Sequence, residues 1–497
     1  MTEKSRSGRN PPGLLFRIAF ARLVSSCLVP MNDGQSLLLQ TPRVRAPLDI
    51  PFYPIALGNR AYEARVAQSP ERASSVGIAL ERNQGFVSVH RTRILGESHE
   101  ADTLRYLERL VKFLLWQTGG WKLTLAVPEP FAETLKQIYS MSGARAFDVQ
   151  LMEQAYGIPF VVEIRSLDQL PAPRESAAAL GGHLEGCRIG FDLGASDYKL
   201  SAVRDGQAVF TTEVPWDPKL QSDPEWHFQK IQEGLKLAAQ HLPRIDAIGG
   251  SSAGIILDNE VRVASLFRAV PAPLFQEKGR TLFNRLKREW AVPLEVANDG
   301  DVTALAGGMS LGVNAILGVA MGSSLAAGWL DGQGRIVGWL NELAFAPVDY
   351  HPQGPVDEWS GDRGCGVQYF SQQAVVRLAG PAGISLPPGH PAEQLKHVQE
   401  LMRDGDPRPV RIFESIGVYY GYAIAHYASF YDLSHVLTLG RVTSESGGDL
   451  ILKKANEVLR SEFPELASKI LLHLPDEKSK RHGQAVAAAS LPILNSR

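Results

Sequence analysis

The chain has 497 residues, which is long enough for two or three domains with sizeable cores. Its formal net charge of −2 argues against a general electrostatic role on nucleic acids or membrane surfaces, so we expect neither as a partner. The three cysteines, Cys27, Cys187 and Cys365, are far apart and form no CxxC pair. This spacing predicts neither a disulfide framework nor a structural zinc site, and it fits a reducing cytoplasm.

Residues 1–44 are predicted to be a tail, either disordered or an upstream extension with translation starting at Met31 instead of Met1. The segment 13–30 is fairly apolar, but two arginines interrupt it. It is therefore too short and too charged to span a bilayer. A poor signal peptide is the alternative.

Residues 45–175 are predicted to form an N-terminal α/β domain. Its elements are strands at 75–80 and 85–90, a helix at 102–116, a strand at 122–127, a helix at 131–141 and a strand at 159–164. This order is similar to that after Arg188, so the domain is either a degenerate copy of the later lobe or an unrelated α/β unit. Ala79 occupies the place of Asp192, and no polar phosphate loop is present, so a copy would have lost its chemistry. No helix-turn-helix pattern is found here.

A polar turn between two apolar strands is the first candidate site. It follows a segment rich in Pro, Ala and Gly, of which we assign 176–186 as a linker. The turn is typical of a phosphate-binding loop because glycine lets the backbone approach a ligand and turn amides can bind anions. Asp192 ends a buried strand, where it could hold Mg²⁺ through water. The residues of this loop are Asp192, Gly194, Ser196 and Lys199.

The second candidate site is Asn298-Asp299, which follows an apolar strand and precedes a helical run. A carboxylate there can accept the proton of a hydroxyl that attacks the γ-phosphate of ATP. Asn298 offers a donor and an acceptor to sugar hydroxyls. The alternative is that Asp299 only caps the following helix.

From about Arg188 to residue 497, the sequence resembles the ROK family (repressors, open reading frames, sugar kinases) of the actin-like superfamily. The similarity rests on Asp-Leu-Gly-Ala-Ser at 192–196, Asn-Asp at 298–299, and the segments 341–345 and 361–367. It implies an α/β, actin-like (ribonuclease H-like) fold with lobes at 187–310 and 311–497. It also implies an ATP-dependent carbohydrate kinase, a phosphotransferase to an alcohol group, with ATP and Mg²⁺ as cofactors.

The resemblance also assigns further binding residues. The second phosphate loop would be Gly322, Ser323 and Ser324, and the adenosine loop would include Gly440, Gly447 and Gly448. The sugar would contact Gly254, Asn298 and Glu342. These assignments predict a cytoplasmic enzyme whose partners are a sugar and ATP, and they leave a homodimer open.

The chain departs from the family pattern at two substituted positions and by the loss of most zinc cysteines. Phe345 stands where the family has a histidine that helps to hold zinc and sugar, and Val367 replaces a second sugar-binding glutamate. Of the zinc cysteines only Cys365 remains, so we expect no zinc site. The departures leave the sugar undefined, and they keep open a non-catalytic sugar or nucleotide sensor on the same fold.

Overall fold

The computed structural model describes residues 36–49, 51–96, 99–175, 180–194, 197–475 and 483–494. Most of the predicted tail and residues 176–179 of the predicted linker lie outside these ranges. The described residues form an α/β fold with three main sheets, one in the N-terminal region and one in each predicted lobe. In the described part of the chain, no helix combines the length and the apolar character that crossing a membrane requires.

The N-terminal region contains the predicted strands and helices, with ends shifted by a few residues. Its strands are β1 (Ala73–Glu81), β2 (Val87–Leu95), β3 (Lys122–Ala126) and β4 (Val161–Ile164). Its helices are α1 (Ile55–Gln68), α2 (Glu100–Thr118), α3 (Glu129–Ile138) and α4 (Ala146–Tyr156). The helix expected at 131–141 begins earlier because Pro130 fits its first turn, where proline costs no hydrogen bond.

The first lobe carries a five-stranded sheet and a small hairpin. Its strands are β5 (Cys187–Leu193), β6 (Asp197–Arg204), β7 (Gln207–Pro215), β8 (Ala247–Ser252), β9 (Ile255–Leu257), β10 (Glu260–Val263) and β11 (Leu294–Asn298). The helices are α5 (Pro224–Ala239), α6 (Ala272–Leu274), α7 (Leu282–Trp290) and α8 (Asp299–Leu311). The sheet order is β11-β8-β5-β6-β7, with β5, β6 and β7 antiparallel and β8 and β11 parallel to β5. This order is ribonuclease H-like, as predicted.

The second lobe repeats most of this arrangement. Its strands are β12 (Ile316–Met321), β13 (Leu325–Leu330), β14 (His435–Leu439) and β15 (Leu471–His473). The helices that follow β13 are α9 (Val367–Phe370), α10 (Gln372–Ala379), α11 (Pro391–Arg403), α12 (Arg408–Tyr427), α13 (Ser446–Glu462), α14 (Pro464–Ala467) and α15 (Gly483–Ala489). Strand β13 pairs antiparallel with β12, whereas β14 and β15 continue the sheet in parallel. The chain therefore has the predicted two-lobed, actin-like fold.

The sheet of the N-terminal region differs from both lobes at one pairing. Its order is β2-β1-β3-β4, and β1 pairs antiparallel with β3. The corresponding pairs in the lobes, β5 with β8 and β12 with β14, are parallel. Of the two interpretations left open by the sequence, this difference favours an unrelated α/β unit.

The N-terminal region shares one hydrophobic core with the second lobe. Residues of α2 such as Leu107, Val111 and Trp116 belong to the same buried cluster as Tyr419 and Ile424 of α12. Toward the first lobe, Asn83 and Gln84 each donate a hydrogen bond of 2.7 Å to the carboxylate of Asp258, and Ile255 of β9 belongs to the same buried cluster as α2. Among the described residues, most apolar members of this cluster outside the N-terminal region belong to the second lobe.

Residues 36–44, which we predicted to belong to the tail, are packed against the fold. Leu38 is fully buried, the amide of Leu37 donates to Asp102 Oδ2 at 2.8 Å, and the amide of Arg43 donates to Glu462 Oε1 at 2.7 Å. The segment 36–44 is thus not part of a tail. The apolar run at 37–39 accounts for the difference, because burying it stabilises the segment.

A buried ionic network joins the N-terminal region to the second lobe. The carboxylate of Asp362 accepts hydrogen bonds from Arg109 at 2.7 and 3.1 Å, and it forms ion pairs with Arg145 at 2.8 Å and Lys112 at 3.2 Å. Burial alone would raise the pKa of Asp362, but the three cations outweigh it and hold this pKa well below its usual range. Asp362 is therefore charged in the folded chain.

Helix α15 packs across the first-lobe sheet. A Cβ atom at Gly190 of β5 would overlap the carbonyl oxygen of Ala485, and one at Gly249 of β8 would overlap that of Ala488. Glycine on the strands and alanine on the helix thus permit this close approach. The alanine-rich helix α15 ends at Ala489.

We expect Asp362→Asn to lower the free energy of unfolding by about 3–5 kcal/mol, because it leaves buried cations without their shared anion. Glu163→Gln is the control, since Glu163 pairs with Lys122 at 3.6 Å and Arg165 at 3.2 Å near the surface. Such pairs contribute about 0–1 kcal/mol. Denaturant titration of both variants measures the difference, and equal effects would contradict a dominant role for Asp362.

Candidate active site

Three neighbouring strands of the first lobe end in polar side chains. The strand register places Asp192 of β5 beside Ser251 of β8, and Ser252 beside Asn298 of β11. Ser251 Oγ donates a hydrogen bond of 2.7 Å to Asp192 Oδ1. Ligands of α/β sheets bind at the carboxyl ends of parallel strands, and this edge is such a place.

The predicted phosphate loop leads from β5 into β6. Lys199 faces Asp192 across the two strands, and its Nζ lies 3.8 Å from Asp192 Oδ2 and 3.8 Å from Asp197 Oδ1. A Cβ atom at Gly194 would lie 2.6 Å from the carbonyl oxygen of Asp197, so only glycine fits this tight turn. Ser196, which we assigned to the same loop, lies outside the described residues.

The carboxylate of Asp192 fits the predicted role toward Mg²⁺. Among the described residues, Ser251 donates to its Oδ1, whereas Oδ2 has the longer contact with Lys199. Burial raises the pKa of Asp192, and the hydrogen bond from Ser251 and the charge of Lys199 partly offset this shift. One carboxylate oxygen acting through water suits Mg²⁺, which keeps several waters in protein sites.

The Asn298-Asp299 pair stands where β11 becomes α8. Asn298 is the N-cap of α8, since its Oδ1 accepts from the amide of Gly300 at 2.7 Å, and its Nδ2 donates to the carbonyl of Gly254 at 2.7 Å. The interpretation of Asp299 as the helix cap is therefore wrong. Asp299 is the first helical residue of α8, and its side chain is half-buried. The cap at the start of the helix is supplied by Asn298.

Gly254 is held between the same elements. Its φ of +107° favours glycine, and a Cβ atom there would overlap the carbonyl oxygen of Val263. The hydrogen bond from Asn298 fixes the Gly254 carbonyl. One N–H and one lone pair of the Asn298 amide remain for a ligand.

Four carboxyl groups lie close enough to influence one another. Burial, followed by the charge of Asp192, raises the pKa of Asp299 to about 6. Burial also raises the pKa of Asp301 to about 7, against the effect of a hydrogen bond from Asn341. For Glu342, burial followed by the charges of Asp299 and Asp301 raises the pKa to about 8. The site thus combines a carboxylate that ionises near neutrality with carboxyls that can donate hydrogen bonds.

The sequence analysis missed one of these carboxyls, Asp301, and its hydrogen-bond partner Asn341. Asp301 is almost fully buried and accepts from Asn341 Nδ2 at 3.0 Å, and Asn341 is equally buried. The signal that could have found Asp301 is a second acidic residue within the first turn of α8. Asn341 precedes the predicted Glu342, and its φ of 52° marks an unusual backbone position.

The two predicted loops of the second lobe lie against each other. The amide of Gly322 donates to Ser324 at 2.9 Å, and Ser323 and Ser324 are exposed at the turn between β12 and β13. Gly440 has a φ of 102°, and a Cβ atom there would lie 2.5 Å from the carbonyl oxygen of Met321. The loop after β14 thus packs on the strand that leads into the Gly322 turn.

The glycines at the start of α13 serve close packing. A Cβ atom at Gly447 would lie 2.9 Å from the carbonyl oxygen of Val442, and one at Gly448 would lie 2.6 Å from that of Thr443. Glycine therefore lets the loop fold back on the helix. Binding of an adenosine by this loop stays a prediction.

Phe345 packs against the hydrophobic core, and Val367 and the retained Cys365 belong to it. The ring of Phe345 lies 4.4 Å from that of Trp116, and Val367 is buried at the start of α9. Cys365 is buried with its Sγ 3.7 Å from Asp362 Oδ2, and burial raises the pKa of its thiol. Within the described ranges, no group of three or more His, Cys, Asp or Glu side chains is arranged to hold a metal ion. The absence of zinc stays a prediction.

The chain is similar in sequence to known glucokinases. Over 285 residues it is 26% identical to a glucokinase of Streptomyces coelicolor, and the match covers 54% of this chain and 85% of the relative. A glucokinase of Streptomyces lividans gives the same values. The predicted resemblance to ROK sugar kinases is confirmed. No model of a known protein family matches the chain.

Solved structures of ROK proteins are also similar to the chain. A ROK hexokinase from Thermus thermophilus is 18% identical, with a TM-score of 0.49, over 62% of this chain and 97% of that one. A ROK family glucokinase from Streptomyces griseus, in complex with glucose and AMPPNP, is 23% identical, with a TM-score of 0.47, over 62% and 99%. A ROK family transcriptional regulator is 19% identical, with a TM-score of 0.48, over 62% and 79%.

The pKa of Asp301 leads to a test by pH-dependent stability. Between the unfolded pKa of about 3.9 and the folded value of about 7, the folded chain keeps a proton that the unfolded chain loses, so stability falls as pH rises through this window. Asp301→Asn can still accept the hydrogen bond from Asn341 but does not ionise. We expect its free energy of unfolding, relative to the parent chain, to rise by about 3 kcal/mol between pH 5 and pH 8, at 1.36 kcal/mol per pKa unit.

Urea titrations at pH 5, 6, 7 and 8 measure this difference. Asp223→Asn is the matched control, because it makes the same change at the exposed N-cap of α5, where asparagine caps as well as aspartate. The difference in the free energy of unfolding between Asp223→Asn and the parent chain should not vary with pH. An Asp301→Asn difference that is equally flat would contradict a raised pKa for Asp301.

Proposed function

We propose that this chain is an ATP-dependent sugar kinase of ROK type that transfers the γ-phosphate of ATP to a hydroxyl of a hexose. The proposal rests above all on Asp299, a half-buried carboxyl with a pKa raised to about 6, which lies among further carboxyls at the carboxyl end of β11. A general base works best when its pKa lies near the working pH. The sequence similarity to glucokinases supports the same reaction class.

In the proposed reaction, ionised Asp299 accepts the proton of the sugar hydroxyl as that hydroxyl attacks the γ-phosphate. Phosphoryl transfer needs little covalent help from the protein and depends on positioning and on stabilising charge. Asp192 would hold Mg²⁺ through water, and this ion neutralises charge on the phosphates when it is bound. Lys199 and the exposed hydroxyls of Ser323 and Ser324 supply further donors for the phosphates.

The sugar would bind between Asn298, Gly254 and Glu342. Because the pKa of Glu342 is raised to about 8, its carboxyl is mostly protonated at neutral pH and can donate as well as accept a hydrogen bond. The remaining N–H and lone pair of Asn298 can likewise donate a hydrogen bond to a sugar hydroxyl and accept one from it. This set suits a ligand with several hydroxyl groups.

A non-catalytic sensor is the second candidate. It is favoured by Phe345 and Val367, which stand at family sugar-binding positions but are packed in the core. A sensor has no need for a proton acceptor beside the hydroxyl. The two candidates therefore differ in what happens when Asp299 is neutralised.

ATP consumption against a panel of hexoses, amino sugars and polyols tests the kinase directly. For any sugar that the parent chain phosphorylates, we expect Asp299→Asn to lower kcat by about 10²–10⁴-fold, the usual contribution of general-base catalysis. The affinity for ATP should change little, because the proposed phosphate contacts lie on other residues. Asp223→Asn, the same change at an exposed helix cap, should keep full activity.

Two results would contradict the proposal. Unimpaired turnover in Asp299→Asn would remove Asp299 from the mechanism. Binding of a sugar or of ATP without any phosphate transfer in the parent chain would favour the sensor.

The pH dependence of kcat gives a separate prediction. Below about pH 6, Asp299 gains a proton and cannot act as a base, so kcat should fall about tenfold per pH unit on the acid side. Above about pH 8, Glu342 loses the proton with which it donates to the sugar, and kcat/KM should fall again. Steady-state kcat and kcat/KM, each measured from pH 5 to 9, test the two limbs. If kcat still falls below about pH 6 in Asp299→Asn, a group other than Asp299 causes that fall.

A further inference from the structure

Helix α2 of the N-terminal region ends against the segment that carries Glu342. The amide of Asn341 donates to the carbonyl of Gln117 at 2.9 Å, and the amide of Glu342 donates to the carbonyl of Trp116 at 3.0 Å. Carbonyls in the last turn of a helix have no partner within the helix. Here two of them are satisfied by the backbone of the proposed sugar-binding segment.

The side chain of Asn341 ties the same segment to two further elements. Its Nδ2 donates to Asp301 of α8 at 3.0 Å, and its Oδ1 accepts from the hydroxyl of Tyr431, just beyond α12, at 3.0 Å. Asn341 and Tyr431 are each 2% exposed. Asn341 is thus held by α2, by the helix that begins with Asp299, and by Tyr431.

The other end of the segment is fixed by aromatic packing. The Phe345 ring lies 4.4 Å from Trp116 of α2 and 5.3 Å from Phe147 of α4. Trp116 is fully buried, and its Nε1 donates to Asp148. Both ends of 341–345 therefore rest on the N-terminal region, while Glu342 between them stays half-buried.

We propose that the N-terminal region is a positioning part of the sugar site, and that Asn341 and Tyr431 are positioning residues that orient Glu342. The assignment of Glu342 to the sugar rests on the proposed function, whereas the positioning itself does not. The closely packed backbone of 341–342 has little freedom to adjust once Asn341 is held. Removing hydrogen bonds of Asn341 should therefore change the position of Glu342 more than that of the phosphate loops.

Tyr431→Phe is the test variant because it removes only the hydroxyl that donates to Asn341. Tyr427→Phe is the matched control, since Tyr427 is also buried but its hydroxyl has no hydrogen-bond partner in the structure. Hydrogen exchange measured by mass spectrometry on the full chain reports the amides of 340–345 without any substrate. We expect exchange there to become about fivefold faster in Tyr431→Phe, the change for one ordinary hydrogen bond, and to stay unchanged in Tyr427→Phe.

Asn341→Gly provides a second variant. Glycine accepts the φ of 52° without strain, so the change removes the side-chain contacts while keeping the backbone conformation. Exchange of 340–345 should increase more than in Tyr431→Phe. Equal exchange in the parent chain and both variants would overturn the proposal.

Kinetics separate this proposal from the proposed function. With a sugar that the parent chain phosphorylates, Tyr431→Phe should raise the KM for the sugar several-fold and leave the KM for ATP unchanged, whereas Tyr427→Phe should change neither. Faster exchange with an unchanged sugar KM would show that the contact does not position Glu342, and would overturn the proposal. If no sugar is phosphorylated, the proposed function fails, and the exchange measurement still decides whether α2 and Tyr431 hold the segment.

Discussion

The convergence of three cations on Asp362 is the interaction on which the arrangement of this chain depends. Arg109 and Lys112 lie on α2, so their ion pairs fix that helix against the second lobe. The end of the same helix carries the carbonyls that hold Asn341 and Glu342. A buried charge pair is costly to form, but once formed it permits few alternative geometries. The ionic network therefore fixes α2 against the second lobe, and α2 in turn holds the segment that we propose to bind the sugar.

The candidate active site lowers the stability of the fold. Asp299, Asp301 and Glu342 share a region in which burial disfavours the charged form of each group, and their mutual repulsion adds to this effect. A chain selected for stability alone would not keep three carboxyls together there. Such conflicts between local rules and the global fold are expected at functional sites. The contrast with Asp362, whose charge is compensated by cations, distinguishes a structural carboxylate from candidate functional ones.

Much of the secondary structure could be predicted from the sequence, because apolar periodicity and caps such as Asp223-Pro224 are local signals. The order of the strands in the two lobes followed from the family resemblance and is confirmed. The interface between α2 and α12 could not be predicted, since a buried helix face does not identify the surface that covers it. Asp301 and Asn341 were missed for the same reason: their contacts join elements far apart in the chain.

The small-residue contact between α15 and the first-lobe sheet has a consequence for biosynthesis. Strands β5 and β8 leave the ribosome long before α15, and until that helix arrives the face around Gly190 and Gly249 has no cover. The apolar face of α2 likewise stays uncovered until α12 has been synthesised. Domains usually fold as units in the order of their synthesis. The first lobe has a core of its own between Ile189 and Val296, whereas the core of the N-terminal region is shared with the second lobe and is completed only with it. Nascent chains therefore expose the apolar face of α2 until the second lobe has been made.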